Sequence, residues 1–162
     1  MICEGRQLQA AVASICPDIE SRVVQCRAPA DERALWWELS VCVLSSQVPF
    51  SLAISAADVI DKSGVMHSSS HCENVGDTIH AILRTPLRVA GRDRLYRFPS
   101  VRAVQLERLR ASVLANAASL SALLAGFTTA NHARRWLVDN AHGLGPKQAS
   151  MFLRNVALTY DL

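Results

Sequence analysis

The stretch Asn140-Ala141-His142-Gly143-Leu144-Gly145-Pro146-Lys147-Gln148-Ala149 puts two glycines in a tight turn just before a helical run, with a lysine at the start of that helix. A Gly-x-Gly turn opening onto a helix points unpaired N–H groups and the positive end of the helix dipole outward, an arrangement that holds a phosphate. The lysine stands out because, of 17 cationic residues, only Lys62 and Lys147 are lysines and the rest are arginines. An amine can lose its proton and attack carbon, which a guanidinium cannot. The same residues also read as ordinary glycine capping beside a solvated lysine.

Outward from the turn, the periodicity is helical almost throughout. Ala149, Phe152, Leu153 and Val156 form the core side of the last helix, which leaves Lys147, Met151 and Arg154 on the opposite face. Before the turn, Thr128 or Thr129 can cap a helix over 130–141, with Ala133, Trp136 and Leu137 inward. Residues Pro99 to Leu124 carry Val101, Val104, Leu106, Leu109, Val113, Leu114, Leu120, Leu123 and Leu124 as one long helix, or as two joined near Asn116 and closed by Gly126.

Further upstream, Leu35, Leu39, Cys42 and Val43 mark a helix over 31–46 capped by Asp31 and ended by Pro49. Leu52, Ile54, Ala56 and Ile60 mark a second that runs to Gly64, and a short third extends from Asp77 to Arg84 with Ile79, Ile82 and Leu83 inward. No period-two alternation of strand length is evident and there is no internal repeat. The expected fold is all-α, one domain over residues 1–162 in two helical lobes, with helix, hairpin and helix at about 130–157.

Half the residues are hydrophobic and 19% are charged, the balance of a globular chain able to bury a core. No apolar run approaches the ~18 residues of a membrane helix and no secretory signal is present, so a cytoplasmic or nucleoid-associated monomer is expected. Cys3, Cys16, Cys26, Cys42 and Cys72 contain no Cys-x-x-Cys pair, which argues for reduced thiols and against a zinc or iron–sulfur site. His67, His71 and Cys72 read as a solvated Ser-rich loop rather than a metal site, and no metal or cofactor is expected. Charge is divided unevenly. Residues 1–83 hold 5 Lys/Arg against 10 Asp/Glu, and residues 84–162 hold 12 against 4. Eight arginines fall within 84–110, with Tyr96 and Phe98 among them, which marks the second half as the candidate nucleic-acid face.

Three segments together resemble the helix-hairpin-helix DNA glycosylases, in particular the 8-oxoguanine DNA glycosylase/lyases of archaea and some bacteria. They are Gly143 through Val156, Trp37 through Gln47, and Tyr96 through Ala103. The resemblance spans roughly residues 31–162 and implies base-excision repair of double-stranded DNA bearing an oxidised base or an abasic site. It implies that Lys147 is the catalytic nucleophile, forming a Schiff base with the sugar. It further implies that Gly143, Gly145, Pro146, Gln148 and Arg154 contact DNA and that Gln47 fills the gap left by the extruded base. A helix N-terminus, Arg154 nearby and partial burial are expected to favour a neutral Lys147. Family members carry an assisting aspartate a short distance beyond this helix. The chain stops at Leu162 before that position, with Asp161 too early in the pattern, so it is expected to be C-terminally truncated. The alternative is a non-catalytic helix-hairpin-helix DNA-binding module.

Overall fold

Helix starts follow the local chemistry that a helix end demands, four N–H groups without intrahelical partners. The computed structural model describes Ser14 and residues 31–67 and 74–156. Asp31 accepts from the Ala34 amide at 2.7 Å and starts α1, Glu32–Leu44. Pro49 precedes α2, Phe50–Ser63, which stops at Gly64 in a left-handed conformation. Then come α3, Val75–Arg84, and two short antiparallel strands, β1, Leu87–Val89, and β2, Arg92–Arg94. The rest is α4, Pro99–Asn116; α5, Leu120–Ala125; α6, Ala130–Asn140, capped by Thr129; and α7, Pro146–Asn155.

The helical class is as expected, with corrections in detail. The β1–β2 hairpin was not expected. Its strands have three residues each, too short to show alternation, and the turn residues Ala90 and Gly91 both have positive φ, the geometry that matches strand twist. Leu87 is buried and Ser55 donates to the Arg88 carbonyl, so the hairpin is anchored on α2. The stretch from Pro99 to Leu124 is two helices. Val101, Val104 and Leu114, assigned above to its apolar stripe, are 55%, 43% and 44% exposed. The first helix ends at Leu44, so a turn of four residues separates it from Pro49. Cys3, Cys16, Cys26, His71, Cys72 and Asp161 lie outside the described residues.

α1 is the central element, buried around its whole C-terminal half from Leu39 to Leu44. α2 packs on one side, joined by a hydrogen bond from the Trp37 indole to Asp58 and by Arg33 gripping Asp61 through both its Nε and Nη2 atoms. On another side lies α7, tied by Asn155 donating to Glu38 at 2.7 Å. Burial, with the Glu38 carboxylate beside it, pushes the Cys42 thiol far above its usual range, so this cysteine is an inert part of the core. No helix among the described residues is long and apolar enough to cross a membrane.

Glu32 binds the start of α1 to the start of α5. Its carboxylate accepts from the Leu120 and Ser121 amides at 2.7 and 2.9 Å and from the Trp36 indole. Burial opposes its ionisation, but these donors outweigh it and hold the carboxyl below its usual value near 4.5. A depressed pKa in the folded state contributes stability above the unfolded value, and that contribution is lost as pH falls through the folded one. Glu32→Gln should therefore cost about 1 kcal/mol at pH 7, a figure already reduced for solvent screening. In urea denaturation the gap between variant and wild type should close as pH is lowered from 7 towards 3.5. A gap that persists unchanged at low pH would show that the carboxylate charge does not hold α5.

Candidate nucleic-acid interface and lysine site

Gly143 has φ +89, a conformation closed to most side chains, whereas Gly145 has φ −82 and serves as the N-cap of α7. Only the first of the two glycines is therefore required by the backbone. Leu144 between them is buried, so the turn is anchored from below while its flanks face out. Pro146 occupies the first helical position, and no side chain caps α7. The Lys147 and Gln148 amides thus point along the helix axis without intrahelical partners, in the positive field of the dipole. The hairpin is clamped at its base by Arg134 donating to Ser150 at 2.8 Å, and Ser150 in turn donates to the Pro146 carbonyl.

Lys147 is exposed, as is Arg154, and Met151 is half-buried, which reproduces the outer face expected for α7. The partial burial expected for Lys147 is not found. Among the described residues its ammonium has no ion pair and no hydrogen bond. A groove of about 470 Å3 runs beside the turn between His142 and Gly143 on one wall and Val101, Val104 and Arg108 of α4 on the other.

Gln47 is exposed in the turn after α1 with φ +65, a left-handed backbone that it shares with Ala90. A strained backbone of this kind persists where surrounding contacts impose it. Two such contacts hold the chain just before the residue. Tyr96 donates its hydroxyl to the Leu44 carbonyl, and Arg102 donates to the Ser46 carbonyl at 2.9 Å. Burial pushes the Tyr96 phenol up to about 12, with Arg102 working against it, so the hydroxyl remains a neutral donor.

The arginine cluster divides. Arg84, Arg88, Arg92, Arg94, Arg97 and Arg108 are exposed, and Arg97 lies over the Phe98 ring. Arg102 and Arg110, at 7% and 8% exposure, are buried, so two of the eight arginines counted toward the candidate nucleic-acid face are not on its surface. Arg110 donates to the Met66 carbonyl instead. Sequence periodicity carried the signal, since both arginines fall on the Leu106 and Leu109 side of α4, but their charge masked it. No cluster of three metal-ligating side chains is found among the described residues.

With this geometry in place, the sequence model of the family described as 8-oxoguanine DNA glycosylase matches residues 19–162. The chain belongs to that family. Among its relatives is the 8-oxoguanine DNA glycosylase/AP lyase of Thermoplasma acidophilum, 29% identical over 131 residues, which cover 80% of this chain and 53% of the archaeal protein. The fold matches the crystal structure of the Thermotoga maritima 8-oxoguanine DNA glycosylase with a TM-score of 0.61 at 26% identity, over 94% of this chain and 64% of that one. The Methanocaldococcus jannaschii enzyme shares the fold at a TM-score of 0.66 and 21% identity, over 94% of this chain and 63% of that one. This glycosylase-family chain thus spans about half the length of the curated relative and under two thirds of the two solved structures.

The left-handed backbone at Gln47 makes a stability prediction. Gln47→Gly should be as stable as wild type or more stable by up to about 1 kcal/mol, while Gln47→Val should lose about 1–2 kcal/mol, because a β-branched residue resists positive φ. Thermal melts of the two variants check this. Equal melting temperatures for both would mean that the turn is not held in this conformation in solution.

Proposed function

We propose that this chain works in base-excision repair as a DNA glycosylase with lyase activity, acting as a nucleoid-associated monomer on duplex DNA that carries 8-oxoguanine or an abasic site. The observation that carries the reading is the uncapped glycine hairpin with an exposed lysine at the second position of α7, on a helix packed against α1, whose end presents Gln47. In this reading the α7 amides, with Gly143, Gly145, Pro146 and Gln148 around them, grip a phosphate of the damaged strand. Arg154, on the same face, contacts the backbone nearby. Gln47 occupies the space of the extruded base and hydrogen-bonds the orphaned partner.

Lys147, when neutral, attacks C1′ of the sugar with its Nζ lone pair. The N-glycosidic bond breaks and the base leaves with its electron pair and takes up a proton; the attached amine then loses a proton and the C1′–O4′ bond opens, with O4′ taking up a proton, to give a Schiff base that eliminates the 3′ phosphate after losing a proton from C2′. Base departure needs help for a developing sugar cation, whereas an abasic aldehyde condenses with an amine far more readily. Lys147 has no carboxylate partner among the described residues. Trapping on abasic DNA should therefore outpace release of 8-oxoguanine.

Borohydride reduction with abasic duplex DNA tests the reading. Wild type should give a covalent adduct and Lys147→Gln none. Brisk excision of 8-oxoguanine would direct attention to Asp139 and Asp161 as assisting carboxylates. DNA binding without any adduct would leave the non-catalytic module as the better account.

Exposed arginines supply the non-specific part of the affinity. Neutralising Arg94 and Arg97 together should flatten the slope of log affinity against log salt by up to about two units, roughly one for each phosphate no longer neutralised. An unaltered slope would return both side chains to the solvated surface.

A further inference from the structure

Arg102 is a buried charged residue among the described ones. The residue is 7% exposed, and among the described residues no carboxylate pairs with its guanidinium. A buried cation held only by neutral partners is costly to keep. Nη2 donates to the Ser46 carbonyl at 2.9 Å and Nη1 to the Gln105 carboxamide oxygen at 2.6 Å, and the Tyr96 hydroxyl lies beside the same guanidinium. Nε has no partner.

Both partners lead to the DNA-facing turns. Ser46 immediately precedes Gln47. Gln105, one turn further along α4, lays its carboxamide over Gly143, so that a Cβ at Gly143 would collide with it. The positive guanidinium also sits at the negative end of α1, where Tyr96 satisfies the Leu44 carbonyl and Arg102 the Ser46 carbonyl in place of a glycine cap. One i, i+3 pair on a single rigid helix thus touches the turn carrying Gln47 and the turn that grips phosphate.

We propose that Arg102 and Gln105 are positioning residues, forming a bracket that fixes the Gln47 turn relative to the hairpin turn at Gly143. Phosphate grip and insertion into the duplex are thereby held in register on the same nucleotide. The inference rests on the repair reading above. Pre-organisation of this kind removes the cost of ordering the turn at the moment of insertion, and a misplacement of about 1 Å is enough to weaken it.

The test is a double-mutant cycle on the full 162-residue chain. The probe is a duplex carrying 2-aminopurine at the target position, whose fluorescence rises when the base leaves the stack. Gln105→Ala puts a good helix former at a half-buried position and should fold. Arg102→Lys keeps the charge and loses the two-armed grip. Each should reduce the fluorescence rise by about fivefold, the scale expected of coupled neighbours. In a Gln47→Ala background neither should reduce it further, because a bracket that acts through Gln47 has nothing left to position. A loss of the same size in both backgrounds would reveal a merely structural effect and overturn the proposal. A wild-type rise that survives both variants would overturn the bracket alone, whereas a wild-type chain that produces no rise overturns the repair reading and the bracket with it.

Discussion

The C-terminal end of α1 is the constraint on which the rest of the molecule depends. Its last turns, Leu39 to Leu44, are buried on every side, so the carbonyls that end the helix cannot all be left to water. Tyr96 and Arg102 satisfy two positions there, from the loop before α4 and from α4 itself. Helix termination, burial of α4 and the conformation of the Gln47 turn thereby become one structural problem. The left-handed backbone at Gln47 is tolerated where the segment leading into it is hydrogen-bonded to the second half of the chain.

The same helix organises the hairpin. α7 packs on α1, its Phe152 and Leu153 are fully buried, and Asn155 reaches Glu38. α6 is joined to α7 by Arg134 and Ser150, and Leu144 is sunk beneath the turn. The exposed parts of the turn are therefore held by a buried frame, and its amides stay aimed outward without a capping side chain. A rigid frame beneath an uncapped helix start is the arrangement that a phosphate-binding site requires.

Electrostatics divide along the same lines. Glu32 and Arg33 hold neighbouring elements to α1, one through the amides of α5 and one through Asp61 of α2. The exposed arginines from Arg84 to Arg108 gather in the second half of the chain, at the end of α3, on β1, β2 and α4, and in the segment that joins β2 to α4.

What the sequence determined was local. A glycine turn before Pro146 and Lys147, Thr129 and Asp31 as caps, Gly64 as a stop and the apolar faces of α1, α2 and α7 all follow from the conformational preferences of a few adjacent residues. The all-α class and the resemblance carried by Gly143 to Val156 were legible for that reason. What only the tertiary structure decided were relations between distant residues. Arg102 and Ser46 are 56 positions apart, and nothing near either one shows that this arginine is buried while Arg97 and Arg108 are not. The positive φ of Gln47, the three-residue strands and the exposure of Val101 and Val104 likewise depend on what packs alongside. A side chain's own chemistry sets what it can bond to, but its burial is set by neighbours that the chain brings together only on folding.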